Sequence, residues 1–270
     1  MNSNLDGFLS ANNRRILALE ARYRSHLGIN RHVVTHWIGQ FDPDHWPLAL
    51  KILESIRYFN YGNLRALVSQ AAIEAPNQFP DVPSTSVKFV IAGDIWEGDA
   101  TIARLIRNNR IIPMRRLMQY TQLRTIEKAE VDGLVFIKDF SGTGEQLADW
   151  WWSTAEPLVL PLEVPVVLSV LVLNHPAKER LNSPGIPVIS SHDLEPTLNI
   201  LSDQCTAFTT EEKESILEYC ARTGAPEEYM RGRGGASLLV AFDYGCSNYS
   251  LPILWWNSPT WSPLFQRRAY

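Results

Sequence analysis

The sequence predicts an α/β protein: a parallel sheet flanked by helices, preceded by a helical region and followed by an irregular C-terminal segment. Three observations carry this. After Thr85, short apolar runs alternate with helix-period segments, the pattern of βαβ units. Before Pro76 the apolar spacing is helical. And 45% of the 270 residues are hydrophobic, enough to bury a sizeable core. The proline-containing stretch Pro76–Thr85 reads as a linker. It places the expected boundary between a helical region, residues 1–80, and an α/β domain, residues 81–270.

Each element has its own justification. Asn12 or Asn13 caps a first helix that carries Ile16, Leu19, Tyr23 and Leu27 on successive turns and stops at Gly28. Asn30 caps a short second helix through Trp37 and Ile38. Asp44 caps a third, with Pro47 in its first turn and Trp46, Leu50, Leu53 and Arg57 at helical spacing. A fourth spans Asn63–Ala75 and ends at Pro76. Val87–Ala92 (VKFVIA) is a buried strand, because strands covered on both faces read as unbroken apolar runs. Gly98–Asn109 is a helix with Ile102, Leu105 and Ile106 inward. Leu134–Ile137 is a second buried strand, Glu145–Ala155 a helix, and Val164–Leu173 a third strand. Thr209–Thr223 is a helix opened by the capping box of Thr209 and Glu212 and closed by Gly224. Ser237–Phe242 is a late strand, and the Trp- and Pro-rich tail beyond Gly245 packs irregularly.

Composition excludes some functions. A net charge of −4 argues against a broad, sequence-independent grip on nucleic acid. The three cysteines, with no CxxC, signal neither a disulfide framework nor a zinc site, and fit reduced thiols in a cytoplasmic protein. No apolar run is long enough to cross a bilayer, and no signal peptide is expected. His32 and His36 share the i, i+4 spacing of some metal sites but lack a third ligand nearby, so no metal site is assigned to them.

The chemistry concentrates in LVFIKDFSGTGEQLADWW (Leu134–Trp151). A buried strand runs into Lys138 and Asp139, then Phe140, Ser141, Gly142, Thr143 and Gly144, then a helix starting at Glu145. Glycines permit a tight turn and close approach to a ligand. The helix start offers free amide N–H groups and the positive end of its dipole. Ser141 and Thr143 add hydroxyls. The result is a cradle for one phosphate, with Asp139 placed to accept hydrogen bonds from sugar hydroxyls. The Walker pattern is absent and GxGxxG is incomplete. An ordinary strand-to-helix turn that binds nothing stands as the alternative.

This loop resembles the loop of type I phosphoribosyltransferases that holds the 5-phosphate and ribose of phosphoribosyl pyrophosphate. More narrowly, the chain resembles the phosphoribosyltransferase-like proteins of bacterial conflict systems. Three further blocks carry that resemblance: His36–Phe59, Gly93–Asn109, and Gly234–Trp256 with Trp261–Arg268. It implies a type I phosphoribosyltransferase-like sheet with a C-terminal hood, and a ligand that is phosphoribosyl pyrophosphate or a nucleotide. It also implies Mg²⁺ at the site and a protein partner from the same antiphage, toxin–antitoxin or retron system, such as a reverse transcriptase, a helicase or another effector. Where the family carries two acids, this chain has Lys138 and Asp139. A lysine repels Mg²⁺ and attracts phosphate. Either Lys138 meets a ligand phosphate and turnover survives, or the chain is a nucleotide-sensing or antitoxin subunit without transferase activity.

The resemblance brings further residues to the site. Gly93, Asp94, Gly98 and Asp99 stand where the family's pyrophosphate loop stands; Asp99 could equally cap a helix. Arg104, Arg107 and Arg110 follow, most simply as a solvated helix face. Arg233 lies in a basic Gly-rich loop that either closes on an anion or is a mobile surface turn. Asn248 resembles a late asparagine near the base-binding hood, where its amide would read a base edge; equally, it could cap a turn. Of Trp150, Trp151 and Trp152, at least one should be in the core and one exposed. Trp255, Trp256 and Trp261 should wedge the tail against the sheet.

Overall fold

In a computed structural model, residues 3–26, 28–92, 98–182 and 186–265 are described. From the N-terminus run helices α1 (Ser3–Ala11), α2 (Asn13–Tyr23), α3 (Arg31–Gly39) and α4 (Trp46–Ser55), then strand β1 (Arg57–Phe59). The middle of the chain forms α5 (Tyr61–Glu74), β2 (Val87–Ile91), α6 (Gly98–Asn109), β3 (Leu117–Gln119), β4 (Gly133–Ser141), α7 (Glu145–Trp150), α8 (Glu156–Val159), β5 (Val166–Asn174), α9 (His175–Asn182), β6 (Val188–Ser190) and β7 (Asp193–Leu194). The last part holds α10 (Thr210–Arg222), β8 (Val240–Phe242) and β9 (Gly245–Cys246).

The chain forms two compact units, residues 1–61 with 196–270, and residues 62–195. This differs from the boundary expected near residue 80. The N-terminal helices share their core with the C-terminal segment, so neither end of the chain makes a unit alone. In that core, Ile16, Leu19, Tyr23, Trp37, Leu50 and Leu53 pack with Ile216, Tyr219, Ile253, Trp261 and Phe265. The indole N–H groups of Trp37 and Trp261 both donate to the Ile253 carbonyl, each at 2.9 Å. The tail tryptophans Trp255 and Trp261 are therefore pinned in the largely helical core of their own unit. Arg57, expected on a helix, lies in β1, which pairs in parallel with β8 (Arg57↔Val240).

Caps explain several boundaries. The Asn30 side chain accepts from the Val33 N–H, and Thr209 and Glu212 form a reciprocal capping box. Asn12 is the N-cap residue of α2, but its side chain makes no cap bond; it donates back to the Phe8 carbonyl, continuing from α1. Asp44 is no cap: it sits inside a 3₁₀ turn, Pro43–His45, that leads into α4. Leu27 lies outside the described residues.

The middle unit contains a parallel sheet in the order β3-β2-β4-β5-β6, with β7 pairing β5. Its central strands are longer than their apolar runs suggest, because β4 extends through Ser141 and β5 through Asn174. One face packs Phe136, Leu168 and Val170 against Leu147, Trp151, Ala155 and Val159. Trp151 is buried and Trp152 is 40% exposed, while Trp150 and Trp151 both set their edges against Phe136 at 5.7 and 5.8 Å between ring centroids. The helix expected over Glu145–Ala155 is α-helical only to Trp150. A π-helical turn, Trp151–Ala155, then joins it to α8. Pro157 supplies the reason: it has no N–H to give, and its ring disfavours normal helical continuation behind it.

Candidate phosphate and sugar site at the sheet end

Strand order points to one end of the sheet as the candidate site. From β2 the chain goes to β3 on one side, then crosses to β4 on the other. Between β2 and β4 the winding reverses, and in open parallel sheets the crevice at the carboxyl end of such a pair is the usual binding place. β2 ends at Ile91 and β4 at Ser141. The sheet thus delivers Lys138, Asp139, Ser141 and the following glycines to this end.

The turn has a specific construction. Gly142 and Gly144 are buried, Thr143 is half-buried and Glu145 exposed. Among the described residues, the backbone N–H groups of Gly142, Thr143, Gly144 and Glu145 have no protein acceptor. Backbone donors are seldom left unpaired, so such a run is a candidate anion cradle. Gly144 has φ = 79°, and a Cβ there would lie 3.0 Å from the Ala177 carbonyl oxygen. Its glycine is required by the left-handed backbone and by the packing of α9, not by the approach of a ligand. The buried Asn174 side chain donates to the Gly142 carbonyl at 3.0 Å and holds the turn from β5. Sequence reasoning missed Asn174, although a polar residue ending the apolar run VVLSVLVL was a visible signal.

Beside the turn lies a compact charge cluster. The Lys138 ammonium is 2.5 Å from Asp99 Oδ2 and 3.2 Å from Asp139 Oδ1. Asp99 Oδ1 accepts from the Asp139 N–H at 3.3 Å, and Asp139 Oδ1 from the Phe140 N–H at 2.8 Å. Asp99 is 1% exposed and Asp139 is buried. Burial, then the charge of Asp139, pushes the Asp99 carboxyl upward to about 8, with Lys138 opposing. The lysine expected to meet a ligand phosphate is thus engaged by two carboxylates of its own chain. Asp99 is not exposed at a helix start; it lies in the first turn of α6 and bonds across to β4.

The remaining candidates divide. Gly98 opens α6, next to Asp99. Gly93 and Asp94 lie outside the described residues. Arg233 and Asn248 belong to the unit built from both chain ends, where the Arg233 N–H donates to the Asn248 carbonyl at 2.8 Å. His32 and His36 stack at 6.3 Å between centroids, and among the described residues no group of three metal-ligating side chains forms. All three cysteines are buried thiols outside any disulfide. Among the described residues, no helix is long and apolar enough to cross a membrane.

Comparison with known proteins adds the following. The model of a family described as PRTase-CE matches residues 34–267. No curated protein matches the chain. Among solved structures, it is similar to an orotate phosphoribosyltransferase from Aeropyrum pernix, with 18% identity and a TM-score of 0.32 over 49% of this chain and 70% of that one. It is also similar to the UMP synthase of Leishmania donovani, with 22% identity and a TM-score of 0.32 over 58% of this chain. It spans 35% of the synthase's length.

Proposed function

The chain belongs to the PRTase-CE family, a phosphoribosyltransferase-like family, and from that premise we propose that the end of its parallel sheet binds phosphoribosyl pyrophosphate or a nucleotide. The observation that carries this is the run of amide N–H groups from Gly142 to Glu145, without protein acceptors, beside the Asp139 carboxylate at the point where the sheet's winding reverses. In this reading the amides and the Ser141 and Thr143 hydroxyls hold the 5-phosphate. Asp139 accepts from the ribose hydroxyls. The pyrophosphate end lies toward the start of α6. If the chain turns over, a nitrogen or oxygen nucleophile bonds to ribose C1 as the C1–O bond breaks and pyrophosphate leaves. Positioning and charge stabilisation then supply the rate.

The setting we propose is a bacterial antiphage or toxin–antitoxin system, in which the chain acts with a protein partner. The resemblance of His36–Phe59 and Gly234–Trp256 to proteins of such systems supports it. A second reading is a nucleotide-sensing or antitoxin subunit that regulates an effector without catalysis. The Lys138–Asp99 ion pair favours it, because the residue standing in place of an acid is already committed within the protein.

The test is calorimetric binding of phosphoribosyl pyrophosphate and of nucleoside monophosphates, followed by assay of pyrophosphate release with candidate bases. The double variant Asp139→Asn/Thr143→Ala is expected to remain folded by circular dichroism and to lose at least tenfold in affinity. Unchanged affinity would remove both readings. Binding without release favours the sensor.

A further inference from the structure

We infer that Lys138 is a built-in counter-cation that stands where the family resemblance places Mg²⁺, so that ligand binding at this site is independent of magnesium. The inference rests on the ligand reading above for its consequence, but its physical basis is separate.

The residues present do not fit Mg²⁺. Asp99 and Asp139 are the two carboxylates that α6 and β4 bring together at the reversal point. The ammonium of Lys138 reaches both, at 2.5 and 3.2 Å, and its side chain is only 17% exposed. Each carboxylate also accepts a backbone N–H, Asp99 from Asp139 and Asp139 from Phe140. Mg²⁺ demands oxygens at about 2.0–2.1 Å in near-octahedral array and gives up its waters reluctantly. An ammonium on the same oxygens repels it and fills the space it would need. Asp99, at 1% exposed, offers almost no solvent-facing surface to a hydrated ion.

The Lys138 backbone is fixed in the ladder of β4, opposite Val170 of β5, and its ammonium is held by the Asp99 and Asp139 carboxylates. Among the described residues, the arrangement sets one positive charge against two carboxylates without recruiting anything from solution. The site therefore stays organised when no divalent cation is present.

The test uses Mn²⁺ as the probe on the full chain, followed by electron paramagnetic resonance. Wild-type protein is expected to sequester no Mn²⁺ that depends on Asp139. Lys138→Gln, similar in length and neutral, is expected to gain a Mn²⁺ site at least tenfold tighter, which Lys138→Gln/Asp139→Asn loses again. A wild-type Mn²⁺ site abolished by Asp139→Asn, or no gain in a folded Lys138→Gln, would overturn the proposal. A second measurement needs no variant: the affinity of wild type for ribose 5-phosphate should agree within twofold in EDTA and in millimolar Mg²⁺, and a tenfold rise with Mg²⁺ overturns the proposal. Should ribose 5-phosphate fail to bind under either condition, the ligand reading falls, and the Mn²⁺ measurement still decides this one.

Discussion

A buried carboxylate that is close to a second one loses the solvation that normally keeps it ionised. Asp99 is in that position, with its carboxyl pushed up to about 8 by burial and by Asp139. The Lys138 ammonium, 2.5 Å away, opposes that rise and favours the ionised pair. Any proton that Asp99 keeps in the folded chain above the ordinary carboxylate range contributes stability that declines as pH rises. Urea denaturation at increasing pH should show the net slope, and Asp99→Asn should flatten it. Ser169 presents the opposite kind of buried polar group. Its hydroxyl lies within β5, 1% exposed, and has no hydrogen-bond partner. An unsatisfied buried hydroxyl costs about 1–3 kcal/mol. Ser169→Ala is expected to raise stability by about 1 kcal/mol, read as a higher denaturation midpoint with an unchanged slope.

Helix α7 shows how one proline shapes an element. The Glu156 N–H reaches back to the Trp151 carbonyl, five residues away, just before Pro157. The widened turn accompanies a packing in which Trp150 and Trp151 both meet Phe136, while Trp152 faces solvent. Truncating a buried aromatic removes its apolar area and leaves a cavity, so Trp151→Ala should cost about 3–5 kcal/mol. Trp152→Ala should stay within about 0.5 kcal/mol. Thermal or urea unfolding of the two variants separates them, and equal losses would contradict this placement. The three-tryptophan run was legible as a mixture of buried and exposed residues. The π-helical turn was not, because apolar periodicity does not register a shift from four to five residues per hydrogen bond.

At the scale of the molecule, local signals were read well and distant pairings poorly. The central parallel strands announced themselves because both faces are buried, and the Thr209–Glu212 box because its two bonds are local in sequence. The edge strand β3 did not, since Leu117–Gln119 is short and half-exposed. The glycine turn of the candidate site was visible as hydroxyls and glycines after a buried strand. Asp99, on Lys138 and Asp139, and Asn174, on the Gly142 carbonyl, come from other elements, and only the fold brings them there. The two-unit organisation was hidden for the same reason. No periodicity reveals that β1 pairs with β8 or that Trp37 and Trp261 share one carbonyl.

That organisation sets an order of events during synthesis. The unit of residues 62–195 is contiguous, so it can assemble once its last residue clears the ribosome. Residues 1–61 must wait with apolar faces uncovered until Ile253, Trp261 and Phe265 have been made. Nascent chains arrested after residue 195 but before Ile253 has left the exit tunnel should protect the middle segment from protease and leave the first helices open to cleavage. Equal protection of both would show that the early helices find interim cover, from themselves or from a chaperone. The helices of residues 1–61 would then mature after the middle segment that follows them, and their exposure to misassembly lasts until Ile253, Trp261 and Phe265 have been made.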